Sequence, residues 1–169
     1  MAKTIFDPAI GELYKIKELC AEKGVDADVQ KRLSDAISLA ERRWLKDFLL
    51  NSPCGKKISI RIGDAKETLL KLAEEKAQYD IVFIDANKDG YVNYFKTVIE
   101  KDLLAKGGTV ILDNALMYGG AYNTKSTNEN ALAIRKCNEY VKSRDDMFQV
   151  LVPIRDGALI VRRKEDVYI

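Results

Sequence analysis

The chain contains no histidine among its 169 residues. That absence removes Ser-His-Asp and Cys-His nucleophile pairs, along with His-ligated zinc or iron sites. Cysteine is also scarce. Cys20, Cys54 and Cys137 form no C-x-x-C pair and are too few and too scattered for an all-thiolate metal centre. Reduced thiols are the simplest reading, so a cytoplasmic location is expected. Any metal should then be a hard cation on oxygen ligands, and any general base should be Lys, Asp, Glu or Tyr. No apolar run approaches the roughly 20 residues that span a bilayer, and residues 1–12 lack the apolar stretch of a signal peptide. The net charge of +2 is too small for nucleic-acid binding driven by bulk charge. Neither a nucleic-acid nor a membrane partner is expected. Internal repeats, low-complexity tracts and linkers are missing too.

What remains is an ordinary globular composition, 47% hydrophobic and 32% charged, enough for one domain with a core. Residues 1–56 read as a helical N-terminal part. Residues 7–23 form a helix with Asp7 as cap, Pro8 in its first turn and Gly24 at its end. A longer helix runs over about 28–50, where Leu33, Ile37, Ala40, Trp44 and Phe48 recur at three- and four-residue spacing. Asn51-Ser52-Pro53 breaks it.

Residues 57–169 then alternate. Strands are expected at 57–62, 80–85 and 109–113, with helices at about 64–77, 91–102 and 128–144 between and after them. Lys106-Gly107-Gly108 reads as a turn. Strands at 148–152 and 158–162 flank the hairpin turn Arg155-Asp156-Gly157. Alternating strands and helices mean an α/β fold. The pattern implies five strands, mostly parallel, with a C-terminal antiparallel hairpin. Residues 57–62 should pair parallel to 80–85 through a right-handed crossover.

The runs YDIVFID at 79–85 and TVILD at 109–113 are continuous apolar and β-branched stretches, as in strands buried on both faces of a parallel sheet. Ligands of such sheets bind outside the carboxyl ends of the strands. Asp85, Lys88, Asp113 and Asn114 all fall there, giving three oxygen ligands and one amine. Read singly, Asp85 and Asp113 are also ordinary strand-end acids, and Lys88 an ordinary surface lysine. Asp64 reads first as a helix cap. Tyr91 and Tyr94 read as packing residues. Met117, Tyr118 and Tyr122, on a Gly-rich loop after the second strand, divide evenly between substrate pocket and plain loop.

From Ile58 onward the chain resembles the cation-dependent O-methyltransferases of the catechol and caffeoyl-CoA type. The resemblance rests on Gly63-Asp64-Ala65, on Phe83-Ile84-Asp85-Ala86-Asn87-Lys88 with Tyr91, on Lys106-Gly107-Gly108, on Asp113-Asn114-Ala115-Leu116 with Gly119, and on Pro153-Ile154-Arg155-Asp156-Gly157. It implies a shortened Rossmann-like methyltransferase fold. It also implies that Asp85, Asp113 and Asn114 bind a divalent cation (Mg or Ca) that holds two vicinal substrate oxygens. Lys88 would be the base that takes the hydroxyl proton. Asp64 and Ala65 would lie near the adenine pocket of S-adenosylmethionine, and Met117 and Tyr118 near the substrate. The family's Gly-rich cofactor turn and the strands around it have no counterpart before Lys57. S-adenosylmethionine is therefore expected to bind poorly.

The leading expectation is a metal- and lysine-dependent enzyme acting on a small catechol- or enol-type molecule without S-adenosylmethionine, as a cyclase, lyase or isomerase. The alternatives are a working S-adenosylmethionine-dependent O-methyltransferase with a rebuilt cofactor site, and a non-catalytic pseudoenzyme that binds a partner chain. A homodimer is expected, because shortening strips cover from the sheet.

Overall fold

The computed structural model describes residues 16, 19–36, 39, 57–61 and 63–167. The chain divides into two compact units, Met1–Ile62 and Gly63–Ile169.

In the first unit, helical residues 19–22 (α1) stop at Gly24, whose φ of +65° is the left-handed conformation glycine adopts without penalty. The Val25 amide donates to Cys20 O at 3.0 Å and the Gly24 amide to Ala21 O at 3.2 Å, a Schellman close. Residues 27–36 form the next helix (α2), capped by Asp26 Oδ1, which accepts the Asp28 amide at 2.9 Å. The expected stripe at Ile37, Ala40, Trp44 and Phe48, and the break at Ser52 and Pro53, lie outside the described residues.

The second unit opens with α3 (Ala65–Glu74), whose N-cap Asp64 accepts the Lys66 amide at 2.7 Å. There follow β1 (Tyr79–Ile84), a 3-10 turn at Lys88–Gly90, α4 (Tyr91–Glu100), β2 (Leu104–Asp113), α5 (Glu129–Lys142), β3 (Met147–Val152) and β4 (Ala158–Arg163). The sheet order is β1-β2-β4-β3. β1 and β2 run parallel, while β4 is antiparallel to both β2 and β3. The α/β architecture with a closing antiparallel hairpin stands as the sequence implies.

Helices α4 and α5 bury one face of this sheet. Tyr91, Tyr94, Phe95 and Val98 of α4 and Ile134, Cys137 and Val141 of α5 pack with Ile84, Val110, Leu112, Leu159 and Val161. The α4 residues recur at three- and four-residue spacing, and the sheet residues alternate, so each element delivers one apolar face to the same core.

Three expectations need correction. The described sheet has four strands, not five, because residues 57–61 form no strand. Among the described residues β1 is an edge strand, and it is not buried on both faces. Ile81 is 66% and Phe83 59% exposed, because no described element covers their side of the sheet. Lys106-Gly107-Gly108 is not a turn between elements but lies inside β2. There the register jumps from Tyr79↔Leu104 to Ile81↔Thr109, and a φ of +75° at Gly107 accommodates the bulge.

Candidate active site

β1 and β2 are neighbours in register, with Ile84 opposite Leu112. The next residue on each strand is therefore an acid, Asp85 beside Asp113, at the carboxyl ends of a parallel pair. Asn114 follows at once in the left-handed region, φ +55°, which asparagine tolerates better than other non-glycine residues. The 3-10 turn then brings Lys88 back over the same strand ends.

Lys88 is the hub. Its side chain is only 13% exposed. Nζ donates to Asp85 Oδ1 at 3.1 Å, to Tyr91 OH at 2.6 Å and to Asn114 Oδ1 at 2.7 Å. An ammonium has three hydrogens, and all three have acceptors. Nζ also lies 4.7 Å from the centre of the Tyr91 ring. Burial alone would lower the lysine's pKa, but the bonds to Tyr91 and Asp85 outweigh it and hold the value above that of an ordinary lysine. Burial pushes the Tyr91 phenol upward, partly offset by the Lys88 bond and by a backbone bond to Ala86. Tyr91 is thus both core and site. It is 1% exposed, yet its hydroxyl fixes the lysine. The sequence reading placed it among packing residues; its offset of three from Lys88, within one helical turn, was the available signal.

A second residue of the candidate site missed from sequence is Asp156. It sits in the β3–β4 turn, where turn chemistry alone explained its presence. Its carboxylate accepts the Asn114 side-chain amide through Oδ2 at 3.2 Å and the Tyr118 backbone amide through Oδ1. The Ala115 amide donates to Gly157 O at 2.9 Å, and the Leu116 amide to Asp156 O at 2.8 Å. The hairpin turn therefore clamps the loop after β2, whose residues Asn114, Met117 and Tyr118 all have positive φ.

Between this loop and the hairpin lies a cavity of about 790 Å³ lined by Asp113, Asn114, Tyr118, Ile154, Arg155 and Asp156, among others. Tyr118 lines it and is 89% exposed. Met117 does not line it and packs partly against the core. Tyr122 lines a separate groove with Arg135 and Asn138. Asp64 and Ala65 begin α3. The Asp64 carboxylate is engaged as the helix cap, which leaves that structural role as the one the geometry displays.

The donor chemistry fits a hard cation. Asp85, Asp113 and Asn114 offer carboxylate and amide oxygens with no nitrogen or sulfur among them. Asp85 Oδ1 and Asn114 Oδ1 already gather around one positive charge, the Lys88 ammonium. Asp113 Oδ1 accepts the Asn114 backbone amide at 2.8 Å, which steadies the third ligand. The set holds two acids and one amide, and no group of three or more acids or thiols forms a metal cluster among the described residues.

Residues 25–164 match the family model described as O-methyltransferase. A probable caffeoyl-CoA O-methyltransferase of Dictyostelium discoideum is 34% identical over 110 residues, covering 63% of this chain and 47% of that protein. A caffeoyl-CoA O-methyltransferase of Citrus natsudaidai is 32% identical over 117 residues, covering 63% of this chain and 49% of its own length. The chain thus spans about half the length of the curated relatives it matches. In fold it is similar to the S-adenosylhomocysteine-bound methyltransferase PaMTH1 of Podospora anserina, with a TM-score of 0.63 at 24% identity over 76% of this chain and 57% of that one. It is similarly related to the O-methyltransferase TomG of Streptomyces achromogenes in complex with S-adenosylmethionine, with a TM-score of 0.63 at 22% identity over 70% of this chain and 55% of that one. No helix among the described residues is long and apolar enough to cross a membrane. With more than half of the chain inside the family model, the chain belongs to the O-methyltransferase family.

Proposed function

We propose that this protein carries the acceptor half of a cation-dependent O-methyl transfer to a hydroxyl of a small catechol-type molecule, with S-adenosylmethionine as methyl donor. This reverses the order of the two enzymatic readings drawn from sequence. The family membership and the methyltransferases that share the fold favour methyl transfer over a donor-free cyclase or lyase. The single observation that carries the reading is the Lys88 ammonium held by Asp85, Asn114 and Tyr91 at the carboxyl ends of two adjacent parallel strands.

A divalent cation held by Asp85, Asp113 and Asn114 would supply Lewis-acid polarisation of the substrate oxygens. Lys88 is placed to hold or take the hydroxyl proton at Nζ and to stabilise the resulting oxyanion by charge. Tyr91 keeps that nitrogen from swinging toward solvent. The cavity beside Asp113 and Asn114 receives the body of the substrate, with Tyr118 and Ile154 as its apolar wall.

A donor-free reaction on the same metal and lysine is the second reading, favoured by the engagement of Asp64 as a helix cap. Calorimetry with Mg²⁺, with Ca²⁺ and with S-adenosylmethionine, each alone, followed by turnover of a catechol with a labelled methyl donor, decides between them. Labelled product that requires the cation supports the proposal. Cation binding with no donor binding and no labelled product supports the second reading. Absence of binding by either refutes both and leaves a partner-binding role. The exposed Ile81 and Phe83 side of β1 supports self-association of this chain into a dimer.

A further inference from the structure

We infer that Asp156 is a positioning residue for the cation site, setting which end of the Asn114 amide faces it. The inference rests on the reading that Asn114 is an oxygen ligand. An asparagine side chain has an acceptor end and a donor end, nearly alike in shape. At Asn114 the two ends meet opposite partners. The Lys88 ammonium can only donate, so the end facing it at 2.7 Å must be Oδ1. The Asp156 carboxylate can only accept, so the end facing it at 3.2 Å must be Nδ2. Donor and acceptor on opposite sides leave one orientation.

Lys88 enforces that orientation less firmly once a cation takes up the Asn114 oxygen, because the two positive charges repel each other across it. Asp156 still enforces it, because it holds the far end. Its own orientation is fixed independently by the Tyr118 backbone amide on Oδ1. The chain of control runs from the loop backbone to Asp156, from Asp156 to Asn114 Nδ2, and so to Asn114 Oδ1. Outer partners of this kind orient ligands, and their loss typically weakens metal binding about 10–100-fold.

The test is an exchange of amide and acid. In Asp156→Asn the remaining carbonyl oxygen keeps accepting the Tyr118 amide, so the new NH₂ faces Asn114. Two NH₂ groups then oppose each other, so Asn114 either keeps Oδ1 on the cation against that repulsion or turns over and withdraws it. Mg²⁺ affinity by calorimetry should fall about 10–100-fold. Adding Asn114→Asp should restore binding to within about tenfold of the native chain, since a carboxylate has an oxygen at both ends and accepts the new NH₂. Burial of the Cys137 thiol, checked by labelling, reports that both variants are folded.

A second measurement needs no cation. In Lys88→Met, where no ammonium holds Asn114 Oδ1, adding Asp156→Asn should give the Asn114 side-chain amide protons a strong nuclear Overhauser effect to the terminal methyl of the side chain at position 88 that is weak in Lys88→Met alone. Unchanged Mg²⁺ affinity in Asp156→Asn, or an exchanged pair that binds no better than Asp156→Asn, would overturn the inference. If the native chain binds no Mg²⁺, the cation reading fails on its own. The amide spectrum then decides, with an unchanged Overhauser effect refuting the role of Asp156 and a strengthened one upholding it.

Discussion

Two glycines with the same backbone angle separate strain from contact in the clamp over the candidate site. Gly119 and Gly157 both have φ +81°. An alanine at either position carries the left-handed penalty, about 1 kcal/mol. The surroundings differ. A Cβ on Gly119 meets nothing within 4 Å, whereas one on Gly157 lies 2.6 Å from Leu116 Cγ and 3.0 Å from the Leu116 backbone nitrogen. The side-chain contact can relax by rotation. The backbone contact cannot, because that nitrogen is bonded to Asp156 O at 2.8 Å. Overpacking of this sort costs a further ~1–3 kcal/mol. Gly157→Ala should therefore destabilise the second unit by about 2–4 kcal/mol, and Gly119→Ala by about 1. With a urea dependence near 2 kcal/mol/M, the midpoints should fall by about 1–2 M and about 0.5 M. The assay is thiol labelling of Cys137 along a urea series, with Cys20 and Cys54 replaced by serine. Cys137 lies in the second unit, is 1% exposed, and burial pushes its thiol up to about 12, so it reacts only on opening. Gly157→Ala should also weaken Mg²⁺ binding, since the same contact holds the loop that presents Asn114. Equal midpoint shifts for the two alanines would refute the reasoning.

Other expectations follow from single observations. Lys88→Met should lower methyl transfer about 10²–10⁴-fold, as for loss of an acid–base group; a rate within threefold of native would exclude the lysine from the chemistry. Tyr91→Phe keeps the packing but frees one hydrogen of the Lys88 ammonium, so kcat should drop more than KM rises; an effect confined to KM would point to substrate contact. The Arg144 guanidinium bonds both oxygens of Asp146 and holds its carboxyl below the usual range. A depressed folded pKa stabilises above the unfolded value near 3.9 and stops doing so as pH falls through the folded value. Arg144→Gln should thus be less stable than native at pH 7 by a margin that shrinks as falling pH protonates Asp146, read by near-ultraviolet circular dichroism; a constant difference across that range would show that the pair is not the cause. Ile81→Lys, on the exposed side of β1, should shift a dimer toward monomer in light scattering; a monomer already in the native chain would remove the self-association reading.

The legible part of the fold was the part written in local periodicity. α4 and α5 were readable because their apolar residues repeat at helical spacing, and Asn128 caps the latter through Ala131 N at 3.0 Å. The β3–β4 hairpin was readable from Arg155-Asp156-Gly157. Asp85, Lys88 and Asn114 were readable because strand ends are where parallel sheets bind ligands, and the structure brings these three together. Residues 57–62 misled because alternation states only that a segment can be a strand. Pairing requires a neighbour, and among the described residues β1 has one neighbour, β2. Its apolar composition, read as burial on both sides, reports a preference for cover rather than the cover itself. Lys106-Gly107-Gly108 misled for a related reason. A glycine pair marks a departure from regular backbone, and a bulge within a strand serves as well as a turn between elements.

Asp156 and Tyr91 escaped because each already had a sufficient local explanation, a turn residue in one case and a core aromatic in the other. What links them is visible only in three dimensions. The site is a chain of alternating donors and acceptors, running from Asp85 to Lys88, from Lys88 to Asn114, and from Asn114 to Asp156. Position 114 is the most constrained member. A glutamine at 114 would carry its amide one methylene too far, and an aspartate there would set two carboxylates against each other. A glycine would accept the left-handed backbone at φ +55° but offer neither a donor nor an acceptor. Asparagine alone combines tolerance of that backbone with an acceptor for the ammonium or a cation and a donor for Asp156. Backbone strain after β2 and the chemistry at its end are therefore one constraint, placed on a single residue by two strands and the turn that crosses them.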